Sequence, residues 1–393
     1  MTLDKRPVNT WPYYAEDEVA AVCDVLRSGK VNYWTGDQCR LFEQEFAEYV
    51  GMPHAISLAN GTVALELALH ALGIGAGDEV IVPARTFIAT ASAVVTRGAV
   101  PVVVDVDRET QGVSSADMRK AITSRTRAVI VVHLAGWPCA MDEIKALADE
   151  HGLKVIEDCA QAHGAEYRGR RVGSFGDAAA FSFCQDKIMS TGGEGGMLLL
   201  RDEAAWRRAW AFKDHGKDYE VVFHQDHPPG HRWLHHSFGT NWRLTEMQAA
   251  IGRKQLSKLP GWLKIRRSHA GILQKSLSGL SGLRPPHPSE HVRPSYYRYY
   301  AFVVPEMLGK GWSRDRIVEE ISGTGVPCFQ GSCGEIYREQ AFARAGLQLP
   351  ERLPVAKELH EQSLAFLVHP TLTKDDIEQA AQVICRCISA ATQ

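Results

Sequence analysis

Two side chains of this sequence, a lysine and an aspartate, stand where catalytic chemistry would be easiest to build. Lys187 lies in Phe181-Ser182-Phe183-Cys184-Gln185-Asp186-Lys187-Ile188-Met189-Ser190-Thr191-Gly192-Gly193-Glu194-Gly195-Gly196, with four glycines within five residues. An apolar run delivers a serine and then a lysine to its carboxyl end, and the glycines let the backbone turn sharply and approach another group closely. Such a lysine can form a Schiff base with a carbonyl once burial frees its amine of the proton. The same pattern also suits a surface lysine ahead of a flexible turn. Upstream, Val155-Ile156-Glu157-Asp158-Cys159-Ala160-Gln161-Ala162-His163-Gly164 ends a second run in polar groups. Open α/β sheets bind ligands at the carboxyl ends of their strands, where a carboxylate can keep a pyridinium nitrogen protonated and make the ring an electron sink. Asp158 would equally serve as a helix N-cap. Asn60-Gly61-Thr62 opens a helical stretch after the run 55–58. Its free N–H groups and helix dipole suit a phosphate, or simply a cap.

The elements that must hold these residues alternate from residue 54 to 200. Runs 79–83, 100–106, 128–134, 154–158, 177–184 and 196–200 are rich in β-branched or apolar residues. Between them, 61–72, 115–122 and 141–151 carry apolar positions three to four apart, with Asn60 and Ser114 as caps. This predicts parallel βα units with several strands buried on both faces. A helical stretch runs from Thr245 into the 260s, followed by a Pro-, His- and Tyr-rich segment and shorter mixed elements. The change of texture predicts two domains, 1–254 and 255–393.

A phosphate seat, an aspartate after one strand and a lysine after a later one resemble, in that order, a pyridoxal-phosphate enzyme of the aspartate-aminotransferase fold. These segments, together with Gly239-Thr240-Asn241-Trp242-Arg243-Leu244-Thr245-Glu246-Met247-Gln248-Ala249-Ala250, closely resemble the DegT/DnrJ/EryC1/StrS sugar aminotransferase family, from about residue 33 to 252 and more loosely beyond. The resemblance implies an α/β fold, with a large domain around a mainly parallel seven-stranded sheet and a smaller C-terminal α+β domain. It implies that Lys187 carries the cofactor as a Schiff base and that Asp158 partners the pyridine nitrogen. Gln161 falls beside the ring's phenolic oxygen, Gly61, Thr62 and Ser182 at the phosphate, and Phe87 against the ring face. Asn241 is implied to reach the phosphate of a neighbouring subunit's cofactor, hence a homodimer with shared sites. His163, Arg243 and the segment 331–337, with Tyr337, are substrate-pocket positions by the same analogy.

Family members that dehydrate a deoxysugar carry histidine in place of the lysine. Lys187 therefore favours transamination, with pyridoxal phosphate and pyridoxamine phosphate alternating. The expected acceptor is a keto-sugar nucleotide for lipopolysaccharide, O-antigen or related glycan synthesis, and the expected donor is glutamate. The alternatives are a keto-cyclitol or aminobenzoate precursor in antibiotic synthesis and, from another class, a non-catalytic cofactor-binding regulator. One departure is visible, an extra glycine against the family's Thr-Gly-Glu-Gly-Gly pattern, which bears on the loop behind the lysine.

The 393 residues carry 44 Lys+Arg against 46 Asp+Glu, a net charge of -2, so no electrostatic case exists for nucleic acid or an anionic membrane as partner. With 45% hydrophobic and 23% charged residues the chain reads as globular. It has no run of the ~18 apolar residues a membrane span needs. The opening MTLDKRPVNTWPYY lacks a signal peptide's apolar core, and the expected location is the cytoplasm. Nine cysteines without a CxxC pair predict reduced thiols. His224, His227, His231, His235 and His236 crowd a segment with Pro228, Pro229 and Gly230, but no pattern completes a metal site, and a substrate-side loop is expected. The run Tyr296-Tyr297-Arg298-Tyr299-Tyr300 is expected to open a strand of the small domain.

Overall fold

The strand-forming runs of the first 200 residues assemble into one sheet. Its seven strands are β1 (His54–Leu58), β2 (Glu79–Pro83), β3 (Val100–Val104), β4 (Thr126–Val132), β5 (Lys154–Asp158), β6 (Ala178–Ser182) and β7 (Gly196–Leu200), in the order β1-β7-β6-β5-β4-β2-β3. Strands β3, β2, β4, β5 and β6 are parallel, and β7 runs antiparallel to both β6 and β1. The computed structural model describes residues 10–227 and 229–393; Pro228 of the histidine-rich segment and residues 1–9 lie outside them.

Both faces of the sheet are buried, and alternate residues divide between them. Val80, Val82, Ile130, Ile156, Leu198 and Leu200 pack on one side with helix α3 (Gly61–Ala71). On the other side Ile81, Val129, Val131 and Val155 meet helix α6 (Met141–His151), while Phe181, Met197 and Leu199 meet α2 (Gln38–Val50). The caps expected from sequence are in place. Asn60 Oδ1 accepts from Val63 N at 3.0 Å, and Ser114 Oγ accepts from Asp117 N at 3.3 Å. The run expected over 100–106 pairs only to Val104, because Asp105 turns to accept N–H groups of Val355 and Ala356 at 2.9 and 2.8 Å.

The helix expected to stop in the 260s continues to Leu277, as a 32-residue element, Glu246–Leu277, with Pro260 inside it. Its buried Leu256, Leu259 and Leu263 belong to the core around α2, and Ala270, Leu273 and Leu277 belong to a separate core beneath a four-stranded sheet. Tertiary burial on both sides of Pro260 outweighs the local stop signal. That second sheet contains β8 (Leu283–Arg284), β9 (Tyr299–Val303), β10 (Cys328–Phe329) and β11 (Ser363–Phe366), and the aromatic run does lead into β9. Among the described residues, no helix is long and apolar enough to cross a membrane.

Candidate active site

The carboxyl ends of β5 and β6, the N-terminus of α3 and the lead-in to β9 surround a cavity of about 780 Å³. Gly61, Thr62, Phe87, Asp158, Gln161, Ser182 and Lys187, from four separate stretches of chain, all line it.

Close packing explains the glycines. A Cβ at Gly61 would lie 2.7 Å from Ser182 Cβ, and one at Gly196 would lie 2.3 Å from Asn60 O. Only glycine lets the first turn of α3 sit directly on β6. The first-turn N–H groups then meet the cavity beside the Ser182 hydroxyl, an arrangement fitted to an anion. Behind Lys187, Gly192, Gly193 and Gly195 have φ of +89°, +125° and +156°. The loop folds back through Phe183 N to Gly195 O at 2.8 Å and Gln185 N to Gly193 O at 3.0 Å, and Thr191 Oγ1 donates to Glu194 O at 2.6 Å. The additional glycine is thus absorbed in left-handed backbone.

Lys187 is partly buried, its Nζ 3.4 Å from Asp186 Oδ1 and 5.2 Å from the centre of the Tyr297 ring. Trp11 Nε1 donates to the Lys187 carbonyl at 2.7 Å, tying the N-terminal segment to the lysine's backbone. Asp158 closes the bottom of the cavity. Its Oδ2 accepts from Thr90 Oγ1 at 3.0 Å and its Oδ1 from Ala160 N at 3.1 Å. Burial pushes its carboxyl above the usual aspartate range, against the pull of these two hydrogen bonds and of the Lys187 charge. Gln161 Oε1 accepts from Ala135 N at 2.7 Å, so the amide's NH2 end is left for the cavity. Phe87, on the loop after β2, is 65% exposed at the rim.

The other sequence-derived positions lie elsewhere in the chain. Asn241 is exposed, its backbone bridged to Asp214. Arg243 donates to Asp214 Oδ1 at 2.8 Å. His163 is buried against Phe181 and Phe183, with ring centroids 5.4 and 5.7 Å away, and burial together with the Lys187 charge pushes its pKa down to about 3. Tyr337 is buried, donating to Glu335 and accepting from Leu353 N at 2.9 Å. None of these four lines the cavity, although Gly331, Ser332 and Cys333 of the expected segment 331–337 do. Tyr297, Arg298 and Phe329 also line the wall, and sequence reasoning did not mark them as site residues. Thr90, which lies in the first turn of the helix that begins at Ala89 and donates to Asp158, was not among the expected residues either.

The metal-like grouping of His133, Glu157 and Cys159 is a cross-link within the protein. Glu157 accepts from Gly173, Phe175 and Gly176 N–H, each at 2.7 Å, and faces His133 Nε2 at 3.0 Å, while His133 Nδ1 accepts from Cys139 N at 3.1 Å.

The DegT/DnrJ/EryC1/StrS aminotransferase family profile matches residues 12–385. The chain belongs to this family. Its members use pyridoxal phosphate, and the chain is a pyridoxal-phosphate-dependent aminotransferase of the aspartate-aminotransferase fold. A relative from Acidithiobacillus ferrooxidans, UDP-N-acetyl-3-dehydro-alpha-D-glucosamine 3-aminotransferase, is 38% identical over 90% of this chain and 89% of its own. The L-glutamine:2-deoxy-scyllo-inosose aminotransferase of Streptomyces paromomycinus is 41% identical over 77% of this chain and 72% of its own. Among solved structures, an aminotransferase from Psychrobacter cryohalolentis matches at 53% identity with a TM-score of 0.96, covering 98% of this chain and all of the other. The cavity fits the cofactor, since a helix N-terminus brought close to Ser182 by Gly61 and the buried carboxylate of Asp158 both line it.

Proposed function

We propose that this aminotransferase moves an amino group from L-glutamate to the keto carbon of a sugar carried on a nucleoside diphosphate, in lipopolysaccharide, O-antigen or related glycan synthesis. The observation that carries the catalytic assignment is the convergence of Lys187, Asp158 and the α3 N-terminus on one cavity. Bound there, pyridoxal phosphate would supply a ring that withdraws electrons from the carbon losing its proton. The N–H groups of Gly61 and Thr62 and the Ser182 hydroxyl would hold its phosphate. Asp158 would keep the ring nitrogen protonated, Gln161 would donate to the phenolic oxygen, and Phe87 would cover a ring face. Lys187 Nζ would carry the proton between carbon centres, a task for a positioned base worth about 10²–10⁴ in rate.

In this view the functional unit is a cytoplasmic homodimer. Asn241 is exposed, as are Phe238 (100%) and Trp233 (87%) in the stretch of chain before it, and a second subunit would cover them while taking Asn241 to its cofactor phosphate. The chain would divide into a cofactor-binding part, 1–254, and a smaller part, 255–393, joined by the long helix. His163, Arg243 and Tyr337 would then act on the pocket at one remove.

The likeness to a UDP-sugar aminotransferase over 90% of the chain supports a nucleotide-linked acceptor. The likeness to the inosose enzyme supports a keto-cyclitol as the second reading. A panel of keto-sugar nucleotides and keto-cyclitols, offered to the pyridoxamine form and scored by loss of its absorbance, separates them. Turnover of cyclitols alone would overturn the sugar assignment.

A further inference from the structure

Arg298 lines the cavity from the lead-in to β9, and among the described residues no carboxylate pairs with it. Its Nε and Nη1 are buried with no hydrogen-bond partner among the described residues. Its guanidinium lies over the Phe329 ring, 4.4 Å from the centroid, and 5.5 Å from the centroid of Tyr297. The two rings fix the plane of the group without neutralising it. Asp186, the carboxylate on the same wall, is already engaged by Lys187 Nζ at 3.4 Å and by the Tyr297 hydroxyl. Two buried guanidinium nitrogens without acceptors are costly, and a planar fork held in one orientation is suited to bidentate contact with a carboxylate.

Its position selects among the anions that enter such a cavity. Arg298 and Lys187 line the same cavity and share one neighbour, their charged groups lying 5.5 and 5.2 Å from the centre of the Tyr297 ring. In an α-amino acid the carboxylate is bonded directly to the carbon that must exchange its proton with the lysine. In a nucleotide sugar the diphosphate is separated from a ring ketone by several bonds. A guanidinium that shares an aromatic neighbour with the lysine suits the amino acid.

We propose that Arg298 is the donor-specificity residue of this aminotransferase, binding a carboxylate of the amino-acid donor while Tyr297 and Phe329 hold its guanidinium in plane. This rests on the amino-acid-donor reading above. It adds that the donor is recognised by a residue leading into the second sheet, whereas the cofactor contacts proposed above lie on and around the first.

The test uses the holoenzyme, with L-glutamate and L-glutamine as donors in single-turnover conversion to the pyridoxamine form, and uridine, thymidine and guanosine diphosphates as binding probes. Arg298→Gln should raise the apparent Kd for glutamate by about 30-fold or more. Arg298→Lys should recover part of that loss, and at least one nucleoside diphosphate should bind both variants as it binds the wild type. An equal loss with glutamine assigns the contact to the α-carboxylate, and a loss confined to glutamate assigns it to the side-chain carboxylate. Unchanged glutamate affinity, or weakened binding of every diphosphate with glutamate affinity intact, overturns the proposal. Visible absorption of bound cofactor in the variant verifies that it has folded around its site. If the wild type itself converts with neither donor, the failure belongs to the donor reading and not to Arg298.

Discussion

Thr90 donates its single hydroxyl proton to Asp158 at 3.0 Å, so the 2.8 Å contact between Thr86 and Thr90 must be donated by Thr86. The two threonines, four apart at the entry to helix α4 (Ala89–Thr96), form a short chain of hydroxyls that ends on the buried carboxylate. Its direction matters. A donor to Asp158 favours the charged form that burial disfavours.

Asp158→Asn is expected to retain bound cofactor and lose about 100-fold or more of its kcat, because a neutral amide cannot hold a pyridinium proton. Thr90→Val should instead act through pH. With one donor gone, the Asp158 pKa rises further, and the acid limb of the kcat profile moves to higher pH while the plateau changes little. Near-normal turnover in Asp158→Asn would remove its assignment, and an unmoved acid limb in Thr90→Val would remove that of the threonine.

For Lys187, borohydride reduction of the holoenzyme is expected to leave the cofactor covalently attached to the peptide containing this residue. Lys187→Ala should bind pyridoxamine phosphate through the α3 N-terminus and Asp158, yet fail to turn over. Peptide mapping decides the point, since a label on any other lysine shows that the wrong residue carries the chemistry.

Asn241 lies on the surface of the single chain, so its test is complementation. Lys187→Ala and Asn241→Ala chains, each inactive alone, should regain up to about a quarter of wild-type activity when mixed, because heterodimers contain one intact site. Demonstrated subunit exchange with no return of activity would exclude sharing through Asn241.

Glu157 is a stability prediction. Burial tends to raise its pKa, but the His133 contact and the backbone N–H groups of Gly173 and Gly176 outweigh it and hold the carboxyl below the ordinary glutamate range. An unfolded glutamate titrates near about 4.3, so the unfolded chain takes up this proton first, and stability falls as pH drops below about 5. Glu157→Gln should be less stable at pH 7 by about 1.5–3 kcal/mol and show a shallower loss toward acid. Thermal melts from pH 4 to 7 supply the comparison, and parallel curves for the two proteins would contradict the linkage.

Local signals made much of this protein legible from its residues alone. The strand 154–158 and the helix 141–151 coincide with their expected limits, because burial on both faces of one and on a single stripe of the other is written in adjacent side chains. Asp158, Lys187 and Gly61 stood out by their places at a strand end or helix start, but each local pattern also suited a plainer role, and only the family resemblance joined them into one site. Tertiary structure alone decided what those residues face. Asp105 left its strand to cap a helix some 250 residues away, and the helix from Glu246 ran through Pro260 because two separate cores bury its flanks. Tyr297, Arg298 and Phe329 reached the cavity only when the second sheet packed beside the first. Contacts between segments more than 100 residues apart leave no periodicity in either segment, and they form only where burial of the whole repays the order imposed on its parts.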